Sequence, residues 1–161
     1  MSTTIEAFGS TSLVQIGNNY FLQPNGGSAV ELGYGGGPVT VGEFAQYGAW
    51  KPIAAAQTAS GYEVAWSIPG ADQYQIWSTD SSGNELSIPF SGSGAQVASY
   101  EVSFNHDLNG DGILTDGTNY FLQPAAGPPV ELSYGGSPVF AGEFQVWRLD
   151  ADRRGADRER L

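Results

Sequence analysis

Residues 61–90, GYEVAWSIPGADQYQIWSTDSSGNELSIPF, alternate apolar and polar side chains through three short runs. GYEVAW, DQYQIWST and ELSIPF are rich in Val, Ile, Tyr, Phe and Trp, which suit a pleated, half-buried surface. IPGAD at 68–72 and DSSGN at 80–84 separate the runs with turn-forming residues. Connections this short join antiparallel neighbours, so the stretch predicts a meander. Alternation also sorts the faces. Tyr62, Val64 and Trp66 share one side of their strand, Glu63 and Ala65 the other; Tyr74 and Ile76 point opposite to Trp77.

Outward from this stretch the pattern continues. SLVQIG (12–17), NYFLQP (19–24) and QVASYEVSF (96–104) are read as further strands, with turns at 17–19, 24–27, 33–38 and 91–94. No segment shows a capped helical period, and only EFAQYGAW (43–50) admits one short turn. The fold class expected is all-β, an antiparallel hairpin meander, with sandwich, barrel and repeat roll left open.

The chain also matches itself at a shift of one hundred residues. NYFLQPNGGSAVELGYGGGPVTVGEF (19–44) lies over NYFLQPAAGPPVELSYGGSPVFAGEF (119–144) without a gap, and 18 of the 26 positions are identical. Such copies mark repeat units that finish their cores against neighbours. The expected organisation is a complete unit at 5–112, a partial second unit at 113–147, and a tail at 148–161. The tail RLDADRRGADRERL has its own explanation. A GC-rich coding of GAWTPIGAAQTASGYE, a peptide similar to 48–63, yields these fourteen residues and then a stop when read from its third base. The tail is therefore expected to be an out-of-frame reading of the next repeat; the alternative is an ordinary charged, disordered terminus.

Composition narrows the function. Lys51 is the only Lys or Arg before residue 148, against thirteen Asp and Glu in that span. A body this acidic repels nucleic acid and anionic membranes and attracts divalent cations. There is no cysteine, and no stretch has the apolar length of a membrane span. MSTTIEAFGS lacks the basic and apolar regions of a cleaved export signal. Neither nucleic acid binding nor membrane insertion is expected.

One loop carries metal chemistry. In DLNGDGILTDGT (107–118), Asp107, Asn109 and Asp111 take positions 1, 3 and 5 of an EF-hand-type loop, Gly112 position 6 and the carbonyl of Ile113 position 7. Alternate oxygen side chains curl around one point, which suits calcium. Thr118 stands where the bidentate Glu belongs, so Asp116, or a remote carboxylate such as Glu101, has to complete the sphere. The alternative is a plain Asn-Gly/Asp-Gly turn with solvated carboxylates. Calcium at this position would also pin the joint between units.

The aromatic residues have two uses. Trp50, Trp66, Trp77 and Trp147, together with strand tyrosines such as Tyr62, could stack on sugar rings, Trp77 being the best exposed candidate by its phase. Core packing is the ordinary employment of large aromatics in a small β-protein. Catalysis has little to work with. His106 is the only histidine, no G-x-S-x-G occurs, and the scattered carboxylates nominate no pair. The chain is read as not an enzyme, a glycan-acting enzyme being the second-class alternative.

IEAFGSTSLVQIGNNYFL (5–22), GYEVAW, ADQYQIWSTDSSGN (71–84) and DLNGDG together resemble the tryptophan-rich C-terminal domain first named in cyanobacteria. The resemblance covers 5–147. It implies calcium-dependent, secreted, RTX-like surface or matrix proteins at the cell surface, with adhesion or polysaccharide association proposed and no activity established for the domain. Two departures stand out. The spacer before the second NYFLQP lacks a second IEAFGST, and the third repeat is lost to the tail, which puts export of this chain in doubt. Self-association through 113–147 is the rival to polysaccharide binding, because the half-unit leaves strand edges and an unfinished core.

Overall fold

The computed structural model describes residues 1–124 and 127–140. Strands β1 (Ser2–Glu6), β2 (Thr11–Ile16), β3 (Asn19–Pro24) and β4 (Val30–Glu31) form a first antiparallel sheet in that order. The hairpin of β5 (Gly33–Tyr34) and β6 (Gly37–Pro38) follows, then a 3-10 turn at Ala45–Tyr47, where the sequence admitted one. Strands β7 (Lys51–Gln57), β8 (Gly61–Ser67), β9 (Tyr74–Asp80) and β10 (Glu85–Gly92) form the second meander. Two one-turn helices, α1 (Gly94–Val97) and α2 (Glu101–Phe104), flank a 3-10 turn at Ala98–Tyr100. A third sheet of β11 (Leu114–Thr115), β12 (Tyr120–Leu122) and β13 (Val130–Glu131) precedes the hairpin β14 (Ser133–Tyr134) and β15 (Ser137–Pro138). The fold is all-β, and no described sheet closes into a barrel.

The second sheet buries both faces. On one side Val64, Trp66 and Trp77 pack with Leu13 and Leu22 of the first sheet. On the other, Ala54, Ala65 and Ile76 pack with Val97, Phe104 and Leu108. The alternation of 61–80 therefore assigns each side chain to one of two cores, with Ile76 and Trp77 opposed as expected.

The second core corrects one expectation. QVASYEVSF (96–104) is helical, not a strand. A segment that must lie across a sheet face cannot hydrogen-bond into that sheet, and here helical turns satisfy its backbone locally. The spacing Val97, Glu101, Phe104 repeats at four and three residues, and all three are buried. Gln96 Oε1 accepts the Ser93 N–H at 3.0 Å, one half of a capping box. Competing alternation within the same nine residues hid this period.

Edge strand β10 carries register irregularities around Ser87 and a proline, Pro89. Bulges and proline on an edge discourage pairing with other chains.

The sequence repeat is also a structural one. Phe21 pairs with Glu31 and Leu22 with Val30; Phe121 pairs with Glu131 and Leu122 with Val130. Asn19 Nδ2 donates to Glu31 Oε1 at 2.7 Å, and Asn119 Nδ2 to Glu131 Oε1 at 2.7 Å. The Leu32 N–H reaches Tyr20 O at 2.9 Å, and the Leu132 N–H reaches Tyr120 O at 2.8 Å. Where the first copy has the six-residue β2, the second has only the two residues of β11, as its shorter spacer requires. Trp147 and the 148–161 tail lie outside the described residues.

Candidate functional site at the joint between the copies

Helix α2 ends at Asn105, which adopts φ 51° and so reverses the chain. Asparagine tolerates this left-handed conformation better than most residues. Its side chain then ties the joint, Nδ2 donating to Phe8 O at 2.8 Å and to Gly127 O at 3.2 Å. Gln123 Nε2 donates to the Asn105 carbonyl from the second copy.

The loop that follows is wound around its own carboxylates. Asp107 accepts the Gly110 N–H on Oδ1 at 2.8 Å and the Gly112 N–H on Oδ2 at 2.7 Å. Asn109 Oδ1 accepts the Asp111 N–H at 2.9 Å, and Asp111 Oδ1 accepts the Ile113 N–H at 2.8 Å. Asn109 Nδ2 meets Asp111 Oδ2 at 3.1 Å. Gly112 sits at φ 81°, the sharp turn that position 6 demands. Three of the expected ligand residues are thus brought together in one coil.

Asp116 has other duties. Its Oδ1 accepts the N–H groups of Thr118 and Asn119 at 2.8 and 2.7 Å, capping the next turn. The carboxylate that does reach the loop is Glu101, projecting from α2. It is 0% exposed; Oε2 accepts the Thr115 N–H at 3.2 Å and Oε1 has no hydrogen-bond partner. Burial pushes its pKa up to about 7, against the pull of the Thr115 and Asn109 backbone and with the help of the Asp107 and Asp111 charges. Burying a carboxyl oxygen without a partner is costly. Among the described residues no three His, Cys, Asp or Glu side chains converge as a metal cluster. Calcium shells, however, also draw on amide, carbonyl and water oxygens. A buried carboxylate oxygen without a hydrogen-bond partner is the type of group a hard cation takes. The Asp107 and Asp111 charges act on it, although among the described residues the three carboxylates do not converge.

Trp66 and Trp77 are core residues. Trp77 is 4% exposed, not the exposed ring its phase suggested, because its face of the sheet is the one covered by the first meander. It lies 4.4 Å from Trp66, centroid to centroid, with Tyr34 stacked against it at 5.4 Å. Tyr62 and Trp66 are buried, and Trp50 is half-buried against the same cluster. Trp66, Trp77 and Tyr62 thus leave little ring surface at the exterior, and Trp50 leaves part of its own.

His106 stacks on Phe8 at 5.3 Å, and burial lowers its pKa. Among the described residues no hydrogen bond joins its ring to a hydroxyl or a carboxylate.

A family model described as the tryptophan-rich Synechocystis species C-terminal domain matches residues 11–115. No curated protein matches the chain, and no solved structure does. The matched span opens on β2 and closes on β11, so it contains β2–β4, the whole second meander, the helical layer, Glu101 and residues 107–113 of the loop, while β1 and Asp116 lie outside it.

Proposed function

The chain belongs to this family of tryptophan-rich domains, and from that premise we propose a non-catalytic structural role: a calcium-stabilised unit of a secreted adhesin or matrix protein. Calcium would be held by Asp107, Asn109, Asp111 and the Ile113 carbonyl, with Glu101 in place of the missing position-12 carboxylate. The observation that carries the reading is Glu101 Oε1, buried without a hydrogen-bond partner and under the influence of the Asp107 and Asp111 charges. Calcium would supply the charge that this group lacks and would order the joint between the copies. The burial of Trp66 and Trp77 argues for assembly between units over stacking on polysaccharide. A polysaccharide role would fall to exposed rings such as Tyr47.

The test is thermal unfolding with calcium, with magnesium and with chelator, on the intact chain, Asp111→Ala and Glu101→Gln. At about a hundredfold excess over Kd, calcium contributes about 2.7 kcal/mol. That is a rise on the order of 8 °C for a chain of this size. Both substitutions should abolish most of it. An unchanged midpoint in calcium would reduce 107–113 to a turn between strands.

A further inference from the structure

The two copies share the pairing of Phe21 with Glu31 and Leu22 with Val30, but the second has a shorter neighbouring strand and a different cover. Leu22 is 0% exposed beneath the second sheet, whereas Leu122, in the same register, is 57% exposed. Val30 packs on the first core, while its counterpart Val130 is 55% exposed. Beside this bare face runs a groove of about 310 Å³, lined by Ile113, Leu114, Tyr120 and Leu132 among others. The first copy records what such a face accepts. Tyr20, Leu22, Leu32 and Val39 are roofed by a sheet that brings Ala55, Val64, Trp66 and Trp77. Tyr120, Leu122, Leu132 and Val139 are the same four residue types one hundred positions later.

We propose that the face of Tyr120, Leu122, Val130 and Leu132 is a docking site for a second tryptophan-bearing sheet of the β7–β9 kind, carried by a separate repeat unit. The chain's own β7–β9 sheet cannot serve, because it already roofs the first copy. Exchanging it between two molecules fills one face only by emptying another. A separate unit therefore fits better than a second copy of this chain. The inference rests on the repeat and not on calcium.

The test compares the intact chain with a variant in which 145–161 is replaced by a copy of 45–112, both in excess calcium. In the intact chain Leu122→Ala should move Tm by less than about 2 °C, as for an exposed side chain. In the extended chain the same substitution should lower Tm by about 10 °C, as for a buried leucine. Exchange of the Leu132 amide should slow at least about tenfold on extension, because covered strands open only with the larger unit. Leu122→Val, a smaller change, should rank between the parent and Leu122→Ala. Unchanged exchange and an indifferent Leu122→Ala in the extended chain would overturn the proposal. So would an intact chain that dimerises in light scattering and loses the dimer on Leu122→Ala, because the occupant would then be a second copy.

Discussion

Glu101 combines deep burial with an unsatisfied carboxyl oxygen. Its carboxyl is fully buried, with one oxygen satisfied by Thr115 and one unpartnered, and its pKa stands at about 7, above the ordinary 4.5. A folded pKa raised above the unfolded one means that the native state holds the extra proton. The stability this confers is complete below pH 4.5 and is lost as pH rises through about 7. Glu6, whose carboxylate accepts the Phe8 and Ala55 N–H groups, is shifted in the same direction by burial. In chelator, therefore, the unfolding midpoint should fall between pH 4.5 and 7, and Glu101→Gln should flatten that fall. At pH 7.5 and without calcium, Glu101→Gln should be as stable as the parent or more so, yet it should gain little from added calcium. Melting both proteins at pH 5 and pH 7.5, with and without calcium, separates the cases. A variant that keeps the full calcium gain would remove Glu101 from the site. The loop residues were legible because their spacing is local. Glu101 was legible only as one remote option, because nothing local says which distant carboxylate the fold will bury.

At the scale of elements, the second meander depends on how closely its strands approach. A Cβ added at Gly61, the first residue of β8, would lie 2.1 Å from Thr79 O and 2.5 Å from the Asp80 carbonyl carbon. Both are backbone atoms of the paired strand and cannot rotate aside. Gly61→Ala should therefore cost about 1–3 kcal/mol through forced separation of β8 and β9. Gly70 offers a contrast within the same meander. It sits at φ 80° with open space around it, so Gly70→Ala carries only a left-handed backbone penalty of roughly 1 kcal/mol. Chemical denaturation of the two variants gives the comparison, and a Gly61→Ala no worse than Gly70→Ala would contradict the close approach. The strands themselves were legible from period-two alternation and turn chemistry. The helical cover at 94–104 was not, because tertiary demand decided there between two periods that the same residues can satisfy.

At the scale of the whole molecule, the repeat was legible in the sequence, but the asymmetry between its copies was not. Identical residues have identical local preferences; Leu22 differs from Leu122 in the covering sheet and in the Leu13 strand partner that the short β11 does not supply. The second copy is consequently held less by its own core than by its anchors to the first. Leu114 is buried at the joint, the Thr115 N–H reaches Glu101, and Asn105 clasps Phe8 on one side and Gly127 on the other. An element with few covered apolar contacts opens at lower free energy than the main core. Residues 114–140 should therefore exchange their amides through a sub-global opening that leaves 11–104 closed. Asn105→Gly tests this most directly, since glycine keeps the φ of 51° while deleting both side-chain clasps. Losing one hydrogen bond to Phe8 should cost the first unit about 1 kcal/mol. The amides of Tyr120 and Leu132 should meanwhile lose most of their protection, and calcium should restore part of it by tightening the adjoining loop. If Asn105→Gly instead lowers protection equally in both copies, the two form one cooperative unit, and the joint is an internal part of a single core.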